Sequence, residues 1–301
     1  MENKTSITAL MSAFARTYHT ENQKEPIFAD SKAGGLMTAE EYSEIGNYIL
    51  SGIDFFAPEM KGTFKDVKET LDYLVNTQIA PTPIARGRFC EDTLKTAMIT
   101  GTQQYVILGA GMDTFPFREP KFMEKYSVFE VDHPCTQEEK LRRIKNAGWK
   151  IPENLHYVPV DFSKDNLEEK LIKSGFDRTK KTFFSWLGVS YYLSLEEINS
   201  TLEGIAGLSA EGSSLVFDYA DENLFSSKIK RVQNMIAMAC AGGEPMKSCF
   251  SIADISRILE KHRFLIYEHM NTQEIQEKYF MGKGNYLSAF EHINFINAVI
   301  K

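Results

Sequence analysis

A chain of 301 residues, 43% of them hydrophobic, carries enough apolar surface for a large core, so disorder is excluded and one elaborated α/β domain, or a domain with a cap, is allowed. A formal net charge of −7 lacks the clustered cations that phosphate contacts demand, which argues against nucleic acid as a partner. Cys90, Cys135, Cys240 and Cys249 lie far apart without Cys-x-x-Cys spacing; neither structural zinc nor a disulfide framework is expected, and a reducing, cytoplasmic setting fits.

In chain order, the opening MENKTSITALMSAFARTYH lacks an unbroken apolar signal core. No apolar run approaches the roughly 20 residues that span a bilayer, so no membrane association is expected. Residues 5–18, 39–53, 64–79 and 91–100 have helical character, with Pro81, Pro83 and Gly87 read as breaks. This predicts a helical N-terminal lid over residues 1–100 and an α/β core over residues 101–301. From Tyr105 onward, YVILG, SVFEVD, LHYVPVD, KTFFSWLG, SSLVFDY and FLIYEHM read as strands. Helix-like stretches at 134–147, 166–174, 194–207, 223–241 and 251–261 separate them. That alternation is the signature of βαβ units around a mostly parallel sheet with helices on both faces. Ser194 followed by Glu197 matches a capping box, and Ser251 is placed to cap the next helix. The apolar stretch 289–300 reads either as a last, antiparallel strand or as a helix. Lys140, Arg142 and Arg143 follow Glu138 and Glu139 at ion-pairing distance along a helix, which predicts a solvated charged face.

The stretch YVILGAGMDTFPFR carries the first chemical signal. A strand ending in Gly109-Ala110-Gly111 lets the backbone turn sharply and approach a ligand that a Cβ would exclude. The dinucleotide fingerprint wants a third glycine at position 114, where this chain has Thr114. The next strand ends at Asp132, where a carboxylate can accept hydrogen bonds from ribose hydroxyls. The one after it ends in Asp161-Phe162, an acid and an aromatic placed for an adenine. The competing structural reading makes Asp132 and Asp161 helix caps.

Four ordered blocks, IARGRF, VILGAGMDTFPFR, FEVDHPCTQEEKLRRI and WLGVSYYLSLEEI, resemble the leucine carboxyl methyltransferase and polyketide O-methyltransferase family, class I methyltransferases that use S-adenosylmethionine. The resemblance implies a Rossmann-like, mostly parallel seven-stranded sheet. It also implies S-adenosylmethionine as cofactor, with Arg86 holding the methionine carboxylate and Arg88 as the alternative. Gly109, Ala110 and Gly111 would face the homocysteine part, Asp132 with His133 the ribose side, and Asp161 with Phe162 the adenine. Many members carry an acid for the methionine ammonium where this chain has Trp186 and Leu187, so that pair is a departure. Asp113 is read as a loop support, and Arg118 as a loop or helix-face residue.

The implied activity is O-methyl transfer to a small-molecule hydroxyl or carboxylate by direct displacement, with a protein acceptor as an alternative. A nicotinamide-dependent oxidoreductase and a non-catalytic cofactor-binding protein are the competing readings. No metal is expected. Tyr191, Tyr192 and, less favoured, His269 are the substrate-side candidates. The methionines of NMIAMAC read as core filling or as an adaptable pocket wall.

Overall fold

The computed structural model describes residues 7–162 and 164–301. Seven strands form one sheet: β1 (Gln104–Leu108), β2 (Ser127–Asp132), β3 (Leu155–Pro159), β4 (Thr182–Trp186), β5 (Ser214–Ala220), β6 (Phe264–Met270) and β7 (Ile293–Ile300). Their order is β3-β2-β1-β4-β5-β7-β6, with only β7 running against its neighbours. The stretch 289–300 therefore resolves as the antiparallel strand. β1, β4 and β5 are buried along their whole length, which is why they read as unbroken apolar runs rather than as an alternation.

Alternate residues of each strand feed two separate cores. Tyr105, Ile107, Phe183, Val216 and Phe295 face one; Val106, Leu108, Phe184, Leu215 and Ile296 face the other. The chain supplies helices in order: α1 (Ile7–Asn22), α2 (Ala39–Ser51), α3 (Val67–Leu74), α4 (Pro81–Ile99), α5 (Pro134–Asn146), α6 (Leu167–Lys173), α7 (Leu195–Leu208), α8 (Lys230–Ala241) and α9 (Ile252–Lys261). Leu171, Leu202, Ile205 and Leu259 of α6, α7 and α9 complete the second core. The first is closed by α1 and α4 through Phe14, Ile84, Phe89 and Leu94, with Phe89 stacked on Phe295 at 5.6 Å. Both expected caps are formed: Ser194 and Glu197 satisfy each other's backbone in a capping box, and Ser251 caps α9.

Three local expectations are corrected. Pro81 and Pro83 do not break the helix; they occupy the first turn of α4, where an N–H has no helical acceptor to meet. A wider turn over Val75–Ile79 joins α3 to α4, closed by the Ala80 N–H donating to the Val75 carbonyl (2.8 Å), and Arg231 Nη1 reaches the Thr77 carbonyl at 3.5 Å. The stretch 223–241 is helical as α8 only from Lys230, and its Met235 and Met238 pack against the first core. Lys140 and Arg143 are buried, not solvated: Lys140 pairs with the buried Glu130 at 2.6 Å, and Arg143 with Glu41 of α2 at 2.7 Å.

A buried carboxylate fastens the N-terminal helices to the sheet. Asp30 receives Arg16 Nε at 2.9 Å, lies 3.3 Å from Arg118 Nε, and accepts the Thr114 hydroxyl at 2.7 Å and the backbone N–H groups of Lys32 and Ala33. Burial pushes the Asp30 carboxyl up, yet Arg16 and Arg118 outweigh it and hold it below the usual range. Arg118, whose sequence reading was structural, also pairs with Glu91 of α4 at 2.5 Å. Asp30→Ala leaves two buried guanidiniums short of a partner and is expected to destabilise the fold by about 3 kcal/mol or more; a denaturant midpoint within error of the parent would show the hub to be dispensable.

His19, wholly buried on α1, accepts the Ile27 N–H at Nε2 (2.9 Å). Burial, helped by Lys283, pushes it down to about 4. Below its unfolded value of about 6.5 the unfolded chain binds a proton that the folded chain refuses, so stability falls as pH drops from 6.5 toward 4. The melting temperature of His19→Gln is expected to vary less between pH 7 and 5 than that of the parent, measured by circular dichroism.

Candidate active site

A cavity of about 530 Å³ opens at the carboxyl ends of β1 to β4, where open α/β sheets place their ligands and within the usual size of a small-molecule site. Its floor is the glycine turn. Gly109 has φ +66° and an added Cβ would sit 2.6 Å from Val189 Cγ2; Gly111 has φ +45°, and its Cβ would meet Ala9 of α1 at 3.2 Å. Both positions therefore need glycine for conformation and for space. Asp132 braces the turn from β2. Its Oδ2 accepts the Gly111 N–H at 2.5 Å and its Oδ1 the His133 N–H at 2.6 Å, and the carboxylate still borders the cavity with lone pairs to spare. Burial pushes its pKa up against those two hydrogen bonds.

His133 is the N-cap of α5, accepting the Cys135 N–H at Nδ1, and it stands 4.0 Å from Asp161. Asp161, 3.0 Å from Lys164, and the partly exposed Phe162 border the cavity beyond β3. Asn166, not Asp161, caps α6, and His133, not Asp132, caps α5, so neither acid is the helix cap that the competing reading expected. Asp113 holds the loop as expected, accepting the Phe115 N–H at 2.7 Å.

At the other end, α4 aims Arg86 into the cavity. Its Nη1 donates to Tyr191 Oη at 3.0 Å and to Asp218 Oδ2 at 3.1 Å. Burial lowers the guanidinium's pKa, but Tyr191 and Asp218 overcome it and raise it. Gly188, at φ +72°, lies flat beneath this group: a Cβ there would come within 2.6 Å of Arg86 Nη1, Nη2 and Cζ. Asp218, wholly buried in β5, uses its second oxygen to accept the Gly188 N–H at 2.6 Å. Arg88 turns away to Asp92 at 2.7 Å on the surface of α4.

The structure thus gathers Arg86, Gly109, Ala110, Gly111, Asp132, His133, Asp161, Phe162, Leu187 and Tyr192 around one cavity. It separates three others. Trp186 is buried against Phe217 in the second core and does not border the cavity; its neighbour Leu187 does. Tyr191 points back onto Asp218 and acts as a brace for Arg86 rather than as a cavity wall. His269 lies on the outermost strand β6, bonded to Tyr219 Oη at 3.0 Å, and is not placed to serve as a base. Sequence reasoning missed Gly188 and Asp218, although a lone acid inside the apolar strand LVFDY was a signal for the second. It also missed Asp30 and the cavity contributions of Thr8, Ser12, Glu197, Glu244 and Lys247, which no local pattern marks.

Among the described residues no helix is long and apolar enough to cross a membrane. The profile of the leucine carboxyl methyltransferase family matches residues 9–206. A protein of Bacillus subtilis (strain 168) that bears the name of an S-adenosyl-L-methionine-dependent methyltransferase is 45% identical over 303 aligned residues, covering 100% of this chain and 99% of that one. In fold alone, a protein of Thermobifida fusca YX named as a methyltransferase aligns with a TM-score of 0.56 at 12% identity, covering 100% of this chain and 96% of that one. A DUF574 family protein of Streptomyces avermitilis aligns with a TM-score of 0.53 at 15% identity over 85% of this chain and 96% of that one. The glycine turn, the strand-end acids and these matches agree: the chain belongs to the leucine carboxyl methyltransferase family and is an S-adenosylmethionine-dependent methyltransferase of the class I fold.

Proposed function

We propose that this methyltransferase acts on oxygen, transferring the methyl group to a small-molecule hydroxyl or carboxylate, with the first 100 or so residues forming a lid that helps to build both halves of the site. The observation that carries the cofactor half is the pairing of a backbone turn that tolerates no Cβ with an arginine that borders the same cavity. Arg86 suits the cofactor's carboxylate because a planar guanidinium offers two parallel donors. Asp132 suits the ribose hydroxyls, and Asp161 with Phe162 the adenine. When bound, S-adenosylmethionine supplies an electrophilic methyl carbon. The protein's part is to fix the angle between that carbon and the acceptor oxygen and to keep water out. Tyr192, Leu193, Glu197, Pro245 and Lys247 border the remaining volume and form the proposed acceptor wall. A carboxylate acceptor is ionised at neutral pH and needs no base. The acidic chain, without a basic stripe, favours a small acceptor over nucleic acid.

Calorimetry with S-adenosylmethionine and S-adenosylhomocysteine tests the cofactor half, and turnover of hydroxyl-bearing against carboxyl-bearing compounds tests the acceptor half; methylation confined to nitrogen or carbon would overturn the oxygen reading. Asp132→Ala is expected to weaken S-adenosylhomocysteine binding by about tenfold or more, and an unchanged affinity would remove the ribose from that strand end. Asp218→Asn keeps the side chain's shape but removes the charge facing Arg86. It is expected to reduce affinity less than Arg86→Ala does, in the same titration.

A further inference from the structure

Neither Trp186 nor Leu187, at the end of β4, is an acid. The cavity nevertheless has a carboxylate from another element. Glu244 lies on the Gly242-Gly243-Glu244-Pro245 turn that follows α8, half-buried and bordering the cavity. It accepts a hydrogen bond from the Thr8 hydroxyl of α1. The residue next to Thr8 is Ala9, whose Cβ lies against Gly111, so Glu244 is tied to the same turn of α1 that packs on the glycine turn. Its charge is also felt at Tyr192, whose phenol burial pushes up to about 12, opposed by Arg86 and reinforced by Glu244 and Asp218. Arg86, Tyr192 and Glu244 therefore share one end of the cavity.

The other acids of the site have different stations. Asp30 and Asp113 lie beneath the turn with Arg16, Arg118 and the Phe115 N–H. Asp132 and Asp161 belong to the ends of β2 and β3, the adenosine side. Glu197 closes the capping box of α7 and lies 3.7 Å from Lys247. Asp218 is sealed behind Arg86. Of the acids that border the cavity, this leaves Glu244 beside Tyr192 and Arg86.

We propose that Glu244 holds the ammonium group of the cofactor's methionine moiety. The assignment rests on the reading of Arg86 and the glycine turn as the site of the cofactor's amino-acid part.

The test compares S-adenosylhomocysteine with its deamino analogue by calorimetry on the parent, Glu244→Gln and Thr8→Val. In the parent the amino group should favour S-adenosylhomocysteine over the analogue by about tenfold or more. Glu244→Gln is expected to erase most of that preference while leaving the analogue's affinity within about twofold. Thr8→Val, which breaks the clasp but keeps the carboxylate, should retain the preference. Because each variant serves as its own reference, a general loss of folding cancels from the ratio. Equal loss for both ligands in Glu244→Gln, no loss for either, or the same collapse of the ratio in Thr8→Val would overturn the proposal and leave the cofactor site intact. Failure of the parent to bind S-adenosylhomocysteine would instead remove the cofactor reading on which it rests.

Discussion

Asp218 is a carboxylate with no access to water, on strand β5, which is buried along its whole length. Burying such a charge costs several kcal/mol unless it is paired and hydrogen-bonded. Three groups meet that demand: Arg86 from α4, the Gly188 backbone after β4, and the Tyr191 hydroxyl at 3.5 Å. Each of those groups is thereby fixed. The arginine is held at the cavity's edge in one orientation, the β4 loop is pulled flat beneath it, and a helix from the N-terminal third is registered against β5. Glycine at 188 is a consequence of this arrangement, because the guanidinium occupies the space of any Cβ.

The same logic operates at the other end of α1 and the glycine turn. Asp30 is as deeply buried and is compensated by two arginines, a threonine and two backbone donors. Asp218 and Asp30 together make the N-terminal helices part of the site rather than a cover laid over it: α4 delivers Arg86, and α1 delivers Thr8, Ala9 and Ser12 to the cavity wall. Polar contacts of this kind contribute little net stability when complete and cost much when broken. Their value lies in geometry, since a methyl transfer depends on alignment within fractions of an ångström.

What could be read before any coordinates follows from which signals are local. The six strands, the glycine turn and the strand-end acids Asp132 and Asp161 were legible because period, turn chemistry and strand ends lie within a few residues of one another. Pro81 and Pro83 misled because a proline reads as a break unless one knows that the helix starts at it. Trp186 misled because the motif names a position and says nothing of the face on which its side chain lies; in a parallel sheet adjacent residues point to opposite cores, and Trp186 takes the one away from Arg86. Asp30 and Glu244 were invisible, since their roles arise from partners far away in sequence. A lysine and an arginine in a basic run, Lys140 and Arg143, were misassigned to solvent for the same reason: Glu130 and Glu41 lie on other elements.

Thr114 shows how cofactor choice and fold assembly can be one decision. In a dinucleotide site the third glycine lets the helix close on the strand next to a pyrophosphate. Here the position carries a hydroxyl that donates to Asp30, and Arg118, four residues on, donates to the same threonine at 3.0 Å. A glycine would remove both contacts and loosen the hub that seats α1 over Gly111. A cofactor without a pyrophosphate makes no demand on that position, so it is released to anchor the roof. The glycine turn and its roof then constrain each other: Gly111 must lack a side chain because Ala9 lies against it, and Ala9 is held there by Arg16, whose Nη2 donates to the Met112 carbonyl at 2.6 Å.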